Sequence, residues 1–171
     1  LKDADVKPVN VGKCFDVPHH LRKAAQKEFV EMVDAGILVP HDEPAEWRSQ
    51  SFPRAKPGSD PVKVRWVTDF RKLNACLERP VWGAESSSQI IRNLPPEAKY
   101  FASFDATSGF HQIRVDEASS RMMTIVTIYG TYRFTVLGQG ICSAQDLFNY
   151  LTDGSTKLDI QFKALKNVDD F

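Results

Sequence analysis

The chain has 171 residues with 22 basic and 22 acidic side chains, and its net charge of zero argues against indiscriminate nucleic-acid binding through the field of the whole protein. Hydrophobic residues make up 42% and charged residues 26%, which is typical of globular domains and excludes a disordered chain. No apolar run approaches the length of a membrane helix, and the start of the chain lacks the apolar stretch of a signal peptide.

The first half of the chain predicts helices and loops with one strand. After a polar lead-in over residues 1–16, apolar residues recur at helical spacing from Leu21 to Val33, and Gly36 is a natural stop. Residues 40–61 are rich in proline and predict a loop punctuated by short extended pieces. A strand, a helical turn and a short helix are expected to follow, over 62–67, 70–77 and 86–94.

The second half predicts a larger share of strand. Alternating side chains indicate strands over 100–105 and 158–164, and two β-like runs around Tyr129 and Gly130 predict a hairpin. Ser143 followed by Asp146 resembles a capping box at the start of a helix. Because strands and helices mix irregularly, the predicted fold class is α+β, with a mainly antiparallel sheet packed on helices.

Three carboxylates suggest metal chemistry. Asp105 ends one predicted strand, and Asp169 and Asp170 end a second β-like run. Clustered carboxylates repel one another, and a pair of Mg²⁺ ions would relieve that repulsion and support phosphoryl transfer. An isolated Asp-Asp pair is also compatible with a solvated turn, so this pair alone decides nothing.

Four motifs in order carry a family resemblance, over residues 65–74, 104–113, 132–148 and 167–170. Together they resemble the fingers and palm of a reverse transcriptase from the Pol polyprotein of gypsy-like long-terminal-repeat retrotransposons. The resemblance implies a lead-in (1–16), fingers with the first palm helix (17–98), and a palm (99–171) that stops after the Asp-Asp pair with the thumb absent. Gly138 stands where most relatives have Pro, and we expect a glycine there to make the loop freer.

The resemblance also implies roles for individual residues. Asp105, Asp169 and Asp170 would be catalytic and would bind two Mg²⁺ ions, or Mn²⁺ as a substitute, with help from the Ala106 carbonyl. Phe110 would be an aromatic gate against a ribose 2′-hydroxyl, although an ordinary core aromatic is the alternative. The other residues expected to contact the incoming nucleotide are Arg65, Lys56, Gln139 and Gly140.

A local basic segment fits this interpretation. Within the neutral chain, residues 54–72 are rich in Lys and Arg, with aromatic residues interleaved. Its remaining cations are predicted to contact nucleic acid, while an ordinary solvated strand face is the alternative. These cations are Arg54, Lys63, Arg71 and Lys72.

The expected function is RNA-directed DNA polymerisation: transfer of a nucleotide from a dNTP to a primer 3′-hydroxyl on an RNA or DNA template. The expected partners are primer–template, dNTPs and the remainder of a Pol polyprotein, namely protease, thumb, ribonuclease H and integrase. The cysteines are three, an odd number, and they are widely spaced, which favours a reducing setting. The resemblance implies cytoplasmic retroelement particles and no membrane partner. The first residue, Leu1, suggests a piece of something longer, and we expect the isolated chain to bind primer–template poorly.

Two other functions stay open on the sequence alone. The chain could be an inactive palm fragment of a decayed or domesticated element that serves as an interaction module. A two-metal nuclease would explain the carboxylates, but it leaves the 137–140 motif and the context of Phe110 unexplained.

Overall fold

The computed structural model describes residues 1–2, 5–82, 87–97, 99–100 and 106–152. Short 3₁₀ turns cover His19–Leu21 and Gly109–Gln112. The α-helices are α1 (Arg22–Asp34), α2 (Arg71–Cys76), α3 (Ser87–Arg92), α4 (Glu117–Met122) and α5 (Ala144–Thr152). The strands are β1 (Leu38–Pro40), β2 (Ser49–Ala55), β3 (Val64–Asp69), β4 (Thr124–Thr127) and β5 (Gly130–Phe134).

The five strands form one sheet in the order β1-β5-β4-β2-β3. All neighbours are antiparallel except β2 and β4, which pair in parallel only at Ser49 and Gln50. Pro53 therefore lies beyond the point where β4 pairs with β2, which agrees with the confinement of strand prolines to open edges. The predicted α+β class with a mainly antiparallel sheet is confirmed.

Helix α1 packs across the sheet with its apolar side and contacts both edge strands, β1 and β3. Ala25 and Phe29 are buried, and the Trp66 Nε1–H donates to the Ala25 carbonyl at 3.1 Å. The Phe29 ring packs against Trp66 and Tyr132, with centroids 5.2 and 4.8 Å apart. The helix ends at Asp34, just before the predicted stop at Gly36, whose φ of +69° suits a glycine in the left-handed region.

The main core lies between the sheet and the helices α1 and α2, and it extends to the start of α5. Phe70 and Leu73 come from the start of α2, and Ile125 and Phe134 come from β4 and β5. The same cluster continues into the start of α5 at Ala144. This core fixes the segment between β5 and α5 relative to β3, and the site described below depends on that arrangement.

Several sequence predictions are refined by the structure. The helix over 21–33, the strand over 62–67, the helical turn, the short helix and the hairpin are all confirmed within a few residues. The proline-rich segment 40–61 was predicted as a loop with short extended pieces. It contains the seven-residue strand β2, because all of β3 pairs with β2 from Gln50 to Ala55. The predicted strands over 100–105 and 158–164 fall on residues that the structure does not describe, apart from Tyr100.

Helix α5 begins where the sequence predicted, but Asp146 plays a different part. The Leu147 N–H donates to the Ser143 carbonyl, which starts the helix. The Asp146 carboxylate accepts hydrogen bonds from the Trp82 N–H and the Arg79 guanidinium, both at 3.1 Å, and these donors lower its pKa. Asp146 therefore ties the segment after α2 to α5.

All three cysteines are free thiols, and no helix within the described residues is long and apolar enough to cross a membrane.

Candidate functional site

A cleft of about 560 Å³ lies between the β2–β3 hairpin, α1 and the segment that precedes α5. Four residues that the sequence singled out line this cleft: Lys56, Arg65, Gln139 and Gly140. They come from three separate parts of the chain, so the fold is what brings them together. The other walls include Glu28, Glu31 and Met32 of α1, Trp66 and Thr68 of β3, and Ser108 and His111.

Positive charge accumulates at the end of the β2–β3 hairpin. Arg54 and Arg65 are partners in the antiparallel register, and both side chains are exposed. Directly opposed like charges destabilise a sheet, and a bound anion would relieve that repulsion. Just beyond them, the Lys56 N–H donates to the Lys63 carbonyl at 2.8 Å, which brings two more cations to the same end.

The two basic residues that begin α2, Arg71 and Lys72, differ in how free they are to contact nucleic acid. The Arg71 guanidinium donates two hydrogen bonds to the Asp69 carboxylate, at 2.8 and 2.7 Å, and a bidentate pair of this kind is geometrically specific. These bonds lower the pKa of Asp69 to about 2. Lys72 is exposed, and its predicted role in nucleic-acid binding stays a prediction, as does that of Arg71.

The Gln139–Gly140 loop is exposed at the edge of the cleft, whereas the residue before it is buried. Gly140 has a φ of +96°, a conformation that a glycine adopts without strain. A Cβ on Gly138 would lie 3.1 Å from the Phe70 ring, so this glycine lets the loop pack closely on the core. The close packing runs against the expectation that Gly138 makes the loop freer.

Residues 106–112 form a tight turn against α5. The Ala106 carbonyl accepts a hydrogen bond from the Gly109 N–H at 3.2 Å. The half-buried Phe110 ring packs edge-on against Phe148 of α5, with centroids 5.5 Å apart. Phe110 is therefore part of a packed aromatic pair, and its role as a gate stays a prediction.

His111 lines the cleft, although no functional role was predicted for it. Burial lowers the pKa of His111, because the charged imidazolium is poorly solvated there. Ser108, Glu28 and Glu31 line the same cleft and were likewise not singled out. Ser108 lies inside the 104–113 motif, which could have pointed to it, whereas Glu28 and Glu31 are marked only by their position in the fold.

The three predicted metal-binding carboxylates, Asp105, Asp169 and Asp170, lie outside the described residues. Among the residues that the structure describes, no group of three or more His, Cys, Asp or Glu side chains could hold a metal ion. The metal site therefore stays a prediction.

No family model matches the chain. The retrovirus-related Pol polyprotein from transposon 412 of Drosophila melanogaster is 32% identical over 149 residues, which is 86% of this chain and 12% of that protein. The Pol polyprotein from transposon gypsy of the same organism is 31% identical over 156 residues, 90% of this chain and 15% of that protein.

Among solved structures, the foamy viral protease-reverse transcriptase in complex with an RNA/DNA hybrid matches with a TM-score of 0.80 at 20% identity. The match covers 97% of this chain and 21% of that one, so the chain spans only a small part of its relatives. These comparisons confirm the resemblance predicted from the four motifs: the chain is a relative of gypsy-like retrotransposon Pol polyproteins, and its fold is that of the fingers and palm of a reverse transcriptase.

Proposed function

We propose that this chain provides the fingers and palm of an RNA-directed DNA polymerase, which adds dNTP units to a primer 3′-hydroxyl on an RNA or DNA template. The observation that carries the proposal is the common cleft lined by Lys56, Arg65, Gln139 and Gly140. The relationship to transposon Pol polyproteins supports the same reaction class.

The cleft is chemically suited to a nucleotide with a polyphosphate. The Arg65 guanidinium offers a planar fork of donors that matches phosphate oxygens, and Lys56 adds a compact positive charge. The exposed Gln139 and Gly140 line the same cleft and can contact the rest of the nucleotide. In this proposal Phe110, supported by Phe148, excludes the ribose 2′-hydroxyl by steric clash.

Asp105, Asp169 and Asp170 are the residues proposed to hold two Mg²⁺ ions, or Mn²⁺ in their place. Carboxylate and carbonyl oxygens are the hard ligands that Mg²⁺ prefers, so the donor set fits the ion. The Ala106 carbonyl accepts one protein hydrogen bond, which leaves an oxygen lone pair for a ligand. When bound, the ions would activate the attacking hydroxyl and stabilise the leaving oxygen.

The exposed cations of the β2–β3 hairpin and of α2 are proposed to grip the template backbone. Such contacts depend on salt and tolerate any sequence, as a polymerase requires. The foamy viral relative in fold was solved with an RNA/DNA hybrid, which supports a primer–template as the partner. We also propose that the chain acts together with the remainder of a Pol polyprotein, inside a cytoplasmic retroelement particle.

Nucleotide binding can be tested by titrating the chain with dTTP and Mg²⁺ while following tryptophan fluorescence, since Trp66 lines the cleft. A Trp66→Phe variant identifies the part of the signal that comes from the cleft. Arg65→Ala should weaken dTTP binding about tenfold or more, because a charge-assisted phosphate contact is lost. The exposed Arg92→Ala is the matched control and should bind as wild type does.

Catalysis can be tested separately in the Pol polyprotein that contains this chain. Extension of an oligo(dT) primer on poly(rA) should be abolished by Asp105→Asn and by Asp169→Asn. Extension that survives either substitution would refute the metal-binding role. Saturable dTTP binding without any extension by the wild type would favour the inactive palm fragment.

A further inference from the structure

We propose that Asn74 is a positioning residue that holds the Gln139–Gly140 loop in its binding shape. The inference rests on the proposed function, because it assumes that this loop contacts the nucleotide. Asn74 itself does not line the cleft and belongs to α2, more than sixty residues before the loop in the chain.

One side chain makes two hydrogen bonds to two sides of the same turn. The Asn74 Nδ2 donates to the Gly140 carbonyl at 2.8 Å, and the Cys142 N–H donates to Asn74 Oδ1 at 2.9 Å. The Gly140 carbonyl can only accept a hydrogen bond and the Cys142 N–H can only donate one. These two partners therefore determine the orientation of the Asn74 side-chain amide.

The turn has little to hold it from within. The Ile141 N–H reaches the Gly138 carbonyl only at 3.4 Å, which is beyond the usual range for such a bond. Gln139 and Gly140 are exposed, so the buried residues on either side, Gly138 and Ile141, hold only the ends of the turn. The exposed part of the loop is therefore anchored from outside the turn, by the two hydrogen bonds of Asn74.

Asn74 is well placed to act as this anchor. Its own N–H donates to the Phe70 carbonyl at 2.7 Å, and the adjacent Leu73 is among the most deeply buried side chains of the protein. An asparagine amide carries a donor and an acceptor on one planar group, a combination that Ala and ionised Asp both lack. The loop is thus fixed to the rigid start of α2.

The test compares Asn74→Ala with Ala75→Ser, an exposed position one residue further along α2, and uses two independent measurements. The first is hydrogen exchange at the Cys142 amide. Asn74→Ala should speed this exchange about tenfold, because the acceptor is lost, while Ala75→Ser leaves it unchanged. Asn74→Asp keeps an acceptor oxygen and should leave the Cys142 amide protected.

The second measurement compares dTTP with inorganic tripolyphosphate in the fluorescence titration. Asn74→Ala should weaken dTTP binding about fivefold or more and leave tripolyphosphate binding unchanged, because Arg65 and Lys56 are untouched. Arg65→Ala should weaken both. A variant that had simply lost its structure would also lose both ligands, so the contrast separates positioning from folding.

Unchanged exchange at Cys142 in Asn74→Ala would overturn the anchoring contact. Faster exchange with unchanged dTTP binding would overturn the positioning role. A wild-type chain that binds tripolyphosphate but shows no preference for dTTP would refute the proposed function together with the positioning role, while the exchange data would still decide whether Asn74 anchors the loop.

Discussion

Gly109 is the residue whose replacement gives the sharpest test of how the site is packed. A Cβ built on Gly109 would lie 2.8 Å from Cε2 and 2.9 Å from Cζ of Phe148. Ordinary contacts between carbon atoms are about 3.5–4.0 Å, so one group must move by about 0.6 Å or more. The Phe148 ring is only 3% exposed and already packs on Phe110, so it has little room to retreat.

We therefore expect Gly109→Ala to lower the free energy of unfolding by about 2 kcal/mol, as overpacking of a core typically does. For a chain of this length the same change corresponds to a fall in Tm of about 4–8 °C. The φ of Gly109 lies outside the left-handed region, so the cost comes from the clash and not from the backbone.

Urea unfolding of a double-mutant cycle with Phe148→Leu tests this cause, because leucine lacks the two ring atoms that the Cβ would meet. Most of the cost of Gly109→Ala should disappear in the Phe148→Leu background. Gly12→Ala is the matched control, since nothing lies within 4 Å of its Cβ, and it should be near neutral. An equal cost of Gly109→Ala in both backgrounds would refute the steric explanation.

Two further substitutions test interactions near the site. Asp69→Asn should lower the free energy of unfolding at pH 7 by up to about 1 kcal/mol, because the pair with Arg71 is partly exposed. Since the folded pKa of Asp69 is about 2, below the usual 3.8, this contribution is present above about pH 4 and fades towards pH 2. Urea titrations should therefore give a smaller effect at pH 2.5 than at pH 7, and equal effects would contradict the ion pair. Ser120→Ala removes a buried hydroxyl that donates to the Phe134 carbonyl, so thermal unfolding should show a loss of about 1–2 kcal/mol, against little change for the exposed Ser88→Ala.

Local patterns were sufficient to predict most of the elements. The apolar spacing before Gly36 predicted α1, and the turn at Tyr129 and Gly130 predicted the β4–β5 hairpin. These features depend on neighbouring residues, so they are visible in the sequence. Strand β2 was predicted only as short extended pieces within a loop, because it is held by pairing with β3 and its own composition includes Pro53.

The cleft could be predicted only in part. Motif resemblance named Lys56, Arg65, Gln139 and Gly140, but it could not name the opposing wall. Glu28 and Glu31 lie on a helix whose charged face looks like any solvated helix surface. Their place in the cleft follows from how α1 packs on β3, a long-range arrangement that local sequence does not encode.

The same long-range packing explains why the motif over residues 65–74 and the loop over 137–142 act as one unit. The loop is held on one side by Phe70, which Gly138 approaches so closely that a Cβ would lie 3.1 Å from the ring. It is held on the other side by the Asn74 amide, one helical turn further along α2. Phe70 therefore sets how deeply the loop sits, and Asn74 sets how its exposed turn is oriented. A change in either residue should therefore alter the loop over 137–142 without moving the cations Lys56 and Arg65.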